Sequence, residues 1–202
     1  MERMRYTEAR KLMAPGDVIA FGGKGQFSEI IKMATLSPVS HVGCVLQTHI
    51  GGDDRYFNQV IESTSIGDFN GVSISRLSDR INAYDGEVWW LPLSHDVLQK
   101  FDRRAFFNFL LAQEGKDYDT HQAVFSALDI LDSIGIGRNK EDFAKFFCSE
   151  LVSAALEKGG AIGPINASEV TPIDLVRFKI YDRIVKLRGL TKDISRFNTV
   201  EV

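Results

Sequence analysis

The spacing of apolar residues changes character near Asp96, and this constrains the fold more than any other feature of the chain. Before Asp96 the apolar residues come in short runs separated by Gly, Pro, Asn and Asp; after it they recur at helical spacing. Pro15-Gly16-Asp17 is a turn signal that launches Val18–Phe21, a strand stopped by Gly22, Gly23 and Gly25. Phe27, Ile30, Ile31 and Ala34 give a short amphipathic helix, which Ser37-Pro38 ends. His41–Gln47 and Tyr56–Ser63, on either side of Gly51-Gly52-Asp53-Asp54, predict an antiparallel pair. A shorter β segment, GVSISRL, follows Asn70, and Gly86 opens the strand EVWWLPL.

Beyond Asp96, Val97, Phe101, Ala105, Phe109 and Ala112 share one helical face, with Gly115 as a cap. Thr120–Ile134 is helical again, SIGIGRNK breaks the pattern, and FFCSELVSAALEKGG is a helix that buries Leu151, Val152, Ala155 and Leu156. TPIDLV is a further turn and helix, and IYDRIVKL a returning strand. Strands first, helices later and a β return predict an α+β fold rather than a doubly wound sheet.

Composition narrows the function. With 202 residues, 44% hydrophobic and 25% charged, the chain reads as one globular domain over 1–202, with no repeat or linker. A net charge of -3 gives no broad attraction for phosphate backbones, so no nucleic-acid partner is expected. No apolar run reaches the roughly 18 residues needed to span a bilayer. The opening MERMRYTEARKLMAPGD is charged and lacks the apolar core of a secretory signal, and there are two cysteines, so a reduced, cytoplasmic setting is expected.

Cys148 is the most informative residue. It stands where a loop is expected to meet the first turn of the FFCSELV helix, and there free backbone N–H groups and the helix dipole would favour a thiolate. The alternative is an inert thiol packed beside Phe146 and Phe147. Of the four histidines, His49 and His95 border turns and His121 lies in a helical first turn, where an imidazolium is disfavoured. His41 opens a strand. Alternation puts His41, Gly43 and Val45 on one side and Val42, Cys44 and Leu46 on the other, so Cys44 belongs to the core. Gly43 leaves space beside His41 for a second group. If HVGCVLQ and YFNQVIES pair as a hairpin, Glu62 falls opposite or diagonal to His41, where it can orient the imidazole; Asp53 and Asp54 are the competing acids. A Cys, a His and an acid are the set that thiol nucleophilic catalysis requires.

In order along the chain, GDVIAF, SHVGCVL, VIES, GVSISRL, GKDYD and FCSELV resemble the circularly permuted branch of the NlpC-type papain-like fold. Within that branch they resemble the YiiX/YebB-like group, with lecithin-retinol-acyltransferase-like proteins as more distant relatives. The resemblance covers Gly16 to Val152. It implies an antiparallel sheet packed on the Cys148 helix; the Phe-rich stretch at about 120–146 is expected to be a helical insert particular to this chain, serving as a lid or as ordinary helical core. The resemblance implies Cys148 as nucleophile, His41 as base and Glu62 as orienting acid, and it places Tyr118 near the site. The implied reaction is hydrolysis of an amide in a peptide, isopeptide or cell-wall fragment through an acyl-enzyme, with no metal and no organic cofactor. Two alternatives remain open. One is a lipid-directed thiol acyltransferase or phospholipase acting on an acyl-lipid, with Phe125, Phe143, Phe146 and Phe147 lining a channel. The other is a non-catalytic peptide-binding module.

Overall fold

The computed structural model describes residues 1–51, 55–66, 69–116, 140–190 and 193–202. Tyr118, His121, Phe125, Asp53, Asp54 and the 120–139 part of the expected insert lie outside those residues. Among the described residues, seven strands form one mixed sheet in the order β1-β7-β6-β2-β3-β4-β5. The strands are β1 (Glu2–Arg3), β2 (Val18–Gly23), β3 (His41–Gly51), β4 (Arg55–Ile66), β5 (Phe69–Arg76), β6 (Gly86–Leu91) and β7 (Val185–Arg188). Among the described ladders of this sheet, β1–β7 is parallel and the others are antiparallel. The architecture is α+β, as the change of apolar spacing predicts.

The central strand β2 is buried along its whole length, because both faces of the sheet are covered. Alternation sorts its residues. Val18 and Ala20 join Val42, Cys44, Ile61, Trp89 and Leu91 on one face, while Ile19 and Phe21 join Val45, Val60, Val88 and Trp90 on the other. The first face is covered by α5 (Arg103–Leu111), α6 (Lys140–Lys158) and α7 (Pro172–Arg177), through Phe106, Leu110, Leu151, Val152, Ala155, Leu156, Leu175 and Val176. The second is covered by α1 (Tyr6–Ala9), the Met13 segment and α3 (Leu77–Ala83), through Ala9, Met13, Leu77 and Ile81. The Pro15-Gly16-Asp17 turn is tied down by its carboxylate. Asp17 accepts from the Ala14 N–H (2.9 Å), the Trp90 indole (2.8 Å) and the Leu93 N–H (3.0 Å).

Three elements depart from the sequence reading. The expected helix after Asp96 is two, α4 (His95–Lys100) and α5, because Asp102 caps α5 by accepting from the Arg104 and Ala105 N–H groups. GVSISRL is not strand to its last residue: β5 ends at Arg76 and Leu77 begins α3, which Leu77 and Ile81 pin to the sheet. The third concerns Cys148. Its helix begins at Lys140, so Cys148 lies about two turns inside it rather than in its first turn. KEDFAK contains no breaker and continues the helix backwards from FFCSELV. The same fact moves the boundary of the expected 120–146 insert, since residues 140–146 belong to the helix that carries Cys148. TPIDLV forms as expected: Thr171 and Asp174 make a reciprocal capping box with Pro172 at the start of α7.

Candidate active site

His41 is the first residue of β3 and faces Phe21 of β2 in the ladder, their ring centroids 5.4 Å apart. The β3–β4 register pairs Cys44 with Ile61 and Val45 with Val60, which brings Glu62 beside Gly43 and diagonal to His41. The space left by Gly43 is the space Glu62 uses: a Cβ on Gly43 would stand 3.1 Å from Glu62 Cβ and 3.0 Å from Val60 Cγ2. His41 Nε2 and Glu62 Oε2 are 2.6 Å apart, with His41 5% exposed and Glu62 fully buried.

A buried carboxylate needs more than one partner. The second is Arg80 of α3, whose Nε donates to Glu62 Oε1 at 2.6 Å and whose Nη2 donates to Oε2 at 3.1 Å. The guanidinium stands over the rings of Phe21 (5.0 Å) and Tyr84 (4.9 Å). Sequence reasoning missed Arg80 because it missed α3. The available signal was the Leu77/Ile81 spacing in RLSDRIN, which makes one apolar stripe and sets Arg80 next to it.

Burial alone would raise the Glu62 carboxyl; hydrogen bonds and charge from His41 and Arg80 outweigh it and hold the group down at about 2. Glu62 is thus ionised and only accepts hydrogen bonds, which requires the proton of a neutral His41 to sit on Nε2. Nδ1 is left as the basic nitrogen. It is buried and has no hydrogen-bond partner of standard geometry. Cys148 stands close enough to act on the ring. Burial lowers the proton affinity of His41, but the charge and hydrogen bonding of Cys148, followed by those of Glu62, raise it to about 9.

These shifts fix a pH window. Glu62 contributes stability in full above its ordinary 4.5, and that contribution is lost as pH falls toward about 2. His41 contributes in full below its ordinary 6.5, and its contribution is lost as pH rises through about 9. Both act fully between 4.5 and 6.5. Thermal melting across pH is expected to fall away more steeply on each side of that window in the wild type than in a His41→Gln, Glu62→Gln double variant. Parallel curves would mean that the pair carries no linked stability.

Of the residues singled out from the sequence, His41, Glu62 and Cys148 come together. Cys44 does not join them. It is fully buried among Val42, Leu46 and Ile61 in the helix-covered core, and burial pushes its thiol up. His95 lies on the surface at the start of α4, within 2.9 Å of Gln99 Nε2. Because Cys148 is inside α6, its own N–H belongs to the helical ladder and is not free to donate to an oxyanion. Among the described residues no group of three His, Cys, Asp or Glu side chains is arranged to hold a metal ion, and no helix is long and apolar enough to cross a membrane.

No family model matches the chain, and no curated protein matches it. Among solved structures it is similar to YiiX from Escherichia coli O157:H7, described as a metalloprotein and assigned to DUF1105. The identity is 21% and the TM-score 0.43, over 72% of this chain and 65% of that one. The matched part therefore spans under two thirds of the YiiX chain.

Proposed function

We propose that this chain is a circularly permuted papain-like cysteine hydrolase that cleaves an amide bond through an acyl-enzyme. The observation that supports this reading best is the meeting of three remote segments at one ring: Glu62 on Nε2 of His41, and Cys148 acting on the same imidazole. In the proposed reaction His41 Nδ1 holds the Cys148 proton as a thiolate–imidazolium pair, and the thiolate attacks the substrate carbonyl. The imidazolium, held by Glu62, then protonates the departing amine. Water, deprotonated by the same nitrogen, attacks the thioester, and the acid leaves as the thiolate–imidazolium pair is restored. Glu62 keeps the ring in its Nε2–H form and stabilises the imidazolium throughout.

Alkylation by iodoacetamide tests the reading without knowledge of the substrate. Cys44 and Cys148 are equally buried, so access by local opening does not favour either one by exposure. Selective modification of Cys148 near pH 7, read by peptide mass, is expected, together with about tenfold or greater slowing in His41→Ala. Equal labelling of the two cysteines, or labelling indifferent to His41, would leave a packed core thiol.

A second reading, action on an acyl-lipid, is favoured by one surface. The helix α2 (Gln26–Ala34) turns Ser28 and Lys32 inward, whereas Ile30, Met33 and the following Leu36 are exposed at 37%, 74% and 87%. A cleft of about 440 Å³ adjoins the loop that leads into His41, lined by Met33, Leu36, Ser37 and Pro38 and by the charged Glu29, Lys32 and Asp193. Its Met33 and Leu36 side suits an acyl chain, and its charged side a polar headgroup. Intact mass after incubation with a phospholipid would separate the two: an added fatty acyl group on Cys148 supports the lipid reading, and release of an amine from a peptide without it supports the amidase.

A further inference from the structure

We infer that Arg80 is a positioning residue of this site, fixing the plane of the Glu62 carboxylate and, through it, the orientation of the His41 ring. The inference rests on the hydrolase reading and adds to it a fourth residue. Three observations carry it. Arg80 contacts both Glu62 oxygens, and one of them, Oε2, is the oxygen that also binds His41 Nε2. A forked contact of this kind resists rotation about the last carboxylate bond, which a single hydrogen bond does not. The guanidinium is itself held, stacked over Phe21 and Tyr84, and Phe21 is also the ring against which His41 packs. Phe21 thus supports both the arginine and the imidazole. Finally, Leu77 and Ile81 provide the packing of α3, so docking of the helix does not depend on Arg80.

Charge alone would be a simpler role. Glu62 is fully buried, and any cation near it would keep it ionised. Arg80→Lys separates the two roles, because lysine keeps the charge but cannot fork. Two readouts are taken well below the melting transition. The first is the hydrogen-bonded Nε2–H proton resonance of His41 by nuclear magnetic resonance. The second is the rate at which iodoacetamide alkylates Cys148 at pH 7. Positioning predicts that Arg80→Lys moves or broadens the His41 resonance and slows alkylation about tenfold, with Arg80→Gln at least as impaired. An Arg80→Lys protein with the wild-type resonance and the wild-type rate overturns the inference, and leaves the hydrolase reading standing. If Cys148 proves unreactive in the wild type while the resonance still shifts in Arg80→Lys, the hydrolase reading falls and Arg80 keeps its hold on the His41–Glu62 pair. Should Arg80→Gln fail to fold, the lysine variant decides the matter alone.

Discussion

Cys148→Ala is expected to fold and to turn nothing over. The side chain is buried, and loss of one sulfur there costs about 1 kcal/mol of packing, well within what a domain of this size tolerates. Removal of a nucleophile is expected to lower kcat/KM by at least about 10⁴-fold, because no acyl-enzyme can then form and only binding remains. His41→Ala should fall to a similar level, and the double variant should fall little further than either single one, as residues that act as a unit do. The measurement is product release from peptide amides, cell-wall fragments and acyl thioesters, with circular dichroism to establish that each variant is folded. An active Cys148→Ala protein would end the proposal, whatever the substrate.

The largest effect on stability is expected at Glu62. Glu62→Ala removes the counter-charge of Arg80, whose side chain is 16% exposed, and the partner of His41 Nε2. Breaking a buried pair from one side costs about 3–5 kcal/mol, mostly the desolvation of the charge left behind. Loss of stability in urea unfolding should be of that size. Glu62→Ala combined with Arg80→Met should recover a good part of it, because a pair replaced whole by apolar groups leaves no stranded charge. If the double variant is as unstable as the sum of its parts, the two side chains are independent and the geometry of the site has been misread.

Much of this arrangement was legible in the sequence because it depends on periods. Alternation along HVGCVLQ separates His41 from Cys44, and the structure keeps them apart, with Cys44 in the helix-covered core. The hairpin between His41–Gln47 and Tyr56–Ser63 was legible, but a register counted from its turn sets Glu62 opposite Cys44; the β-bulge between Val45 and Gln47 shifts the pairing by one residue and brings Glu62 beside Gly43, diagonal to His41. What was not legible lacks a period. Asp102 splits α4 from α5 through two hydrogen bonds of its own, against an apolar stripe that runs through the break. The start of α6 at Lys140 was hidden because KEDFAK is polar: it fits a helix and a solvated loop equally well until the helix is seen. That difference matters chemically, since it removes Cys148 from the helix end that was expected to favour its thiolate.

The bulge between Val45 and Gln47 decided that Glu62 shares a side of the sheet with His41. Local chemistry determined which face of each strand is apolar, where the turns fall, and which histidine opens a strand. Those properties depend on neighbours a few residues apart, and a one-dimensional pattern records them. Only the tertiary structure decided that α3 brings a guanidinium beneath Glu62, and that α6 brings a sulfur to the ring at the end of β3. Both follow from helices docking on opposite faces of the sheet. A buried carboxylate selects its cation by desolvation, and that selection acts between residues which only folding makes neighbours.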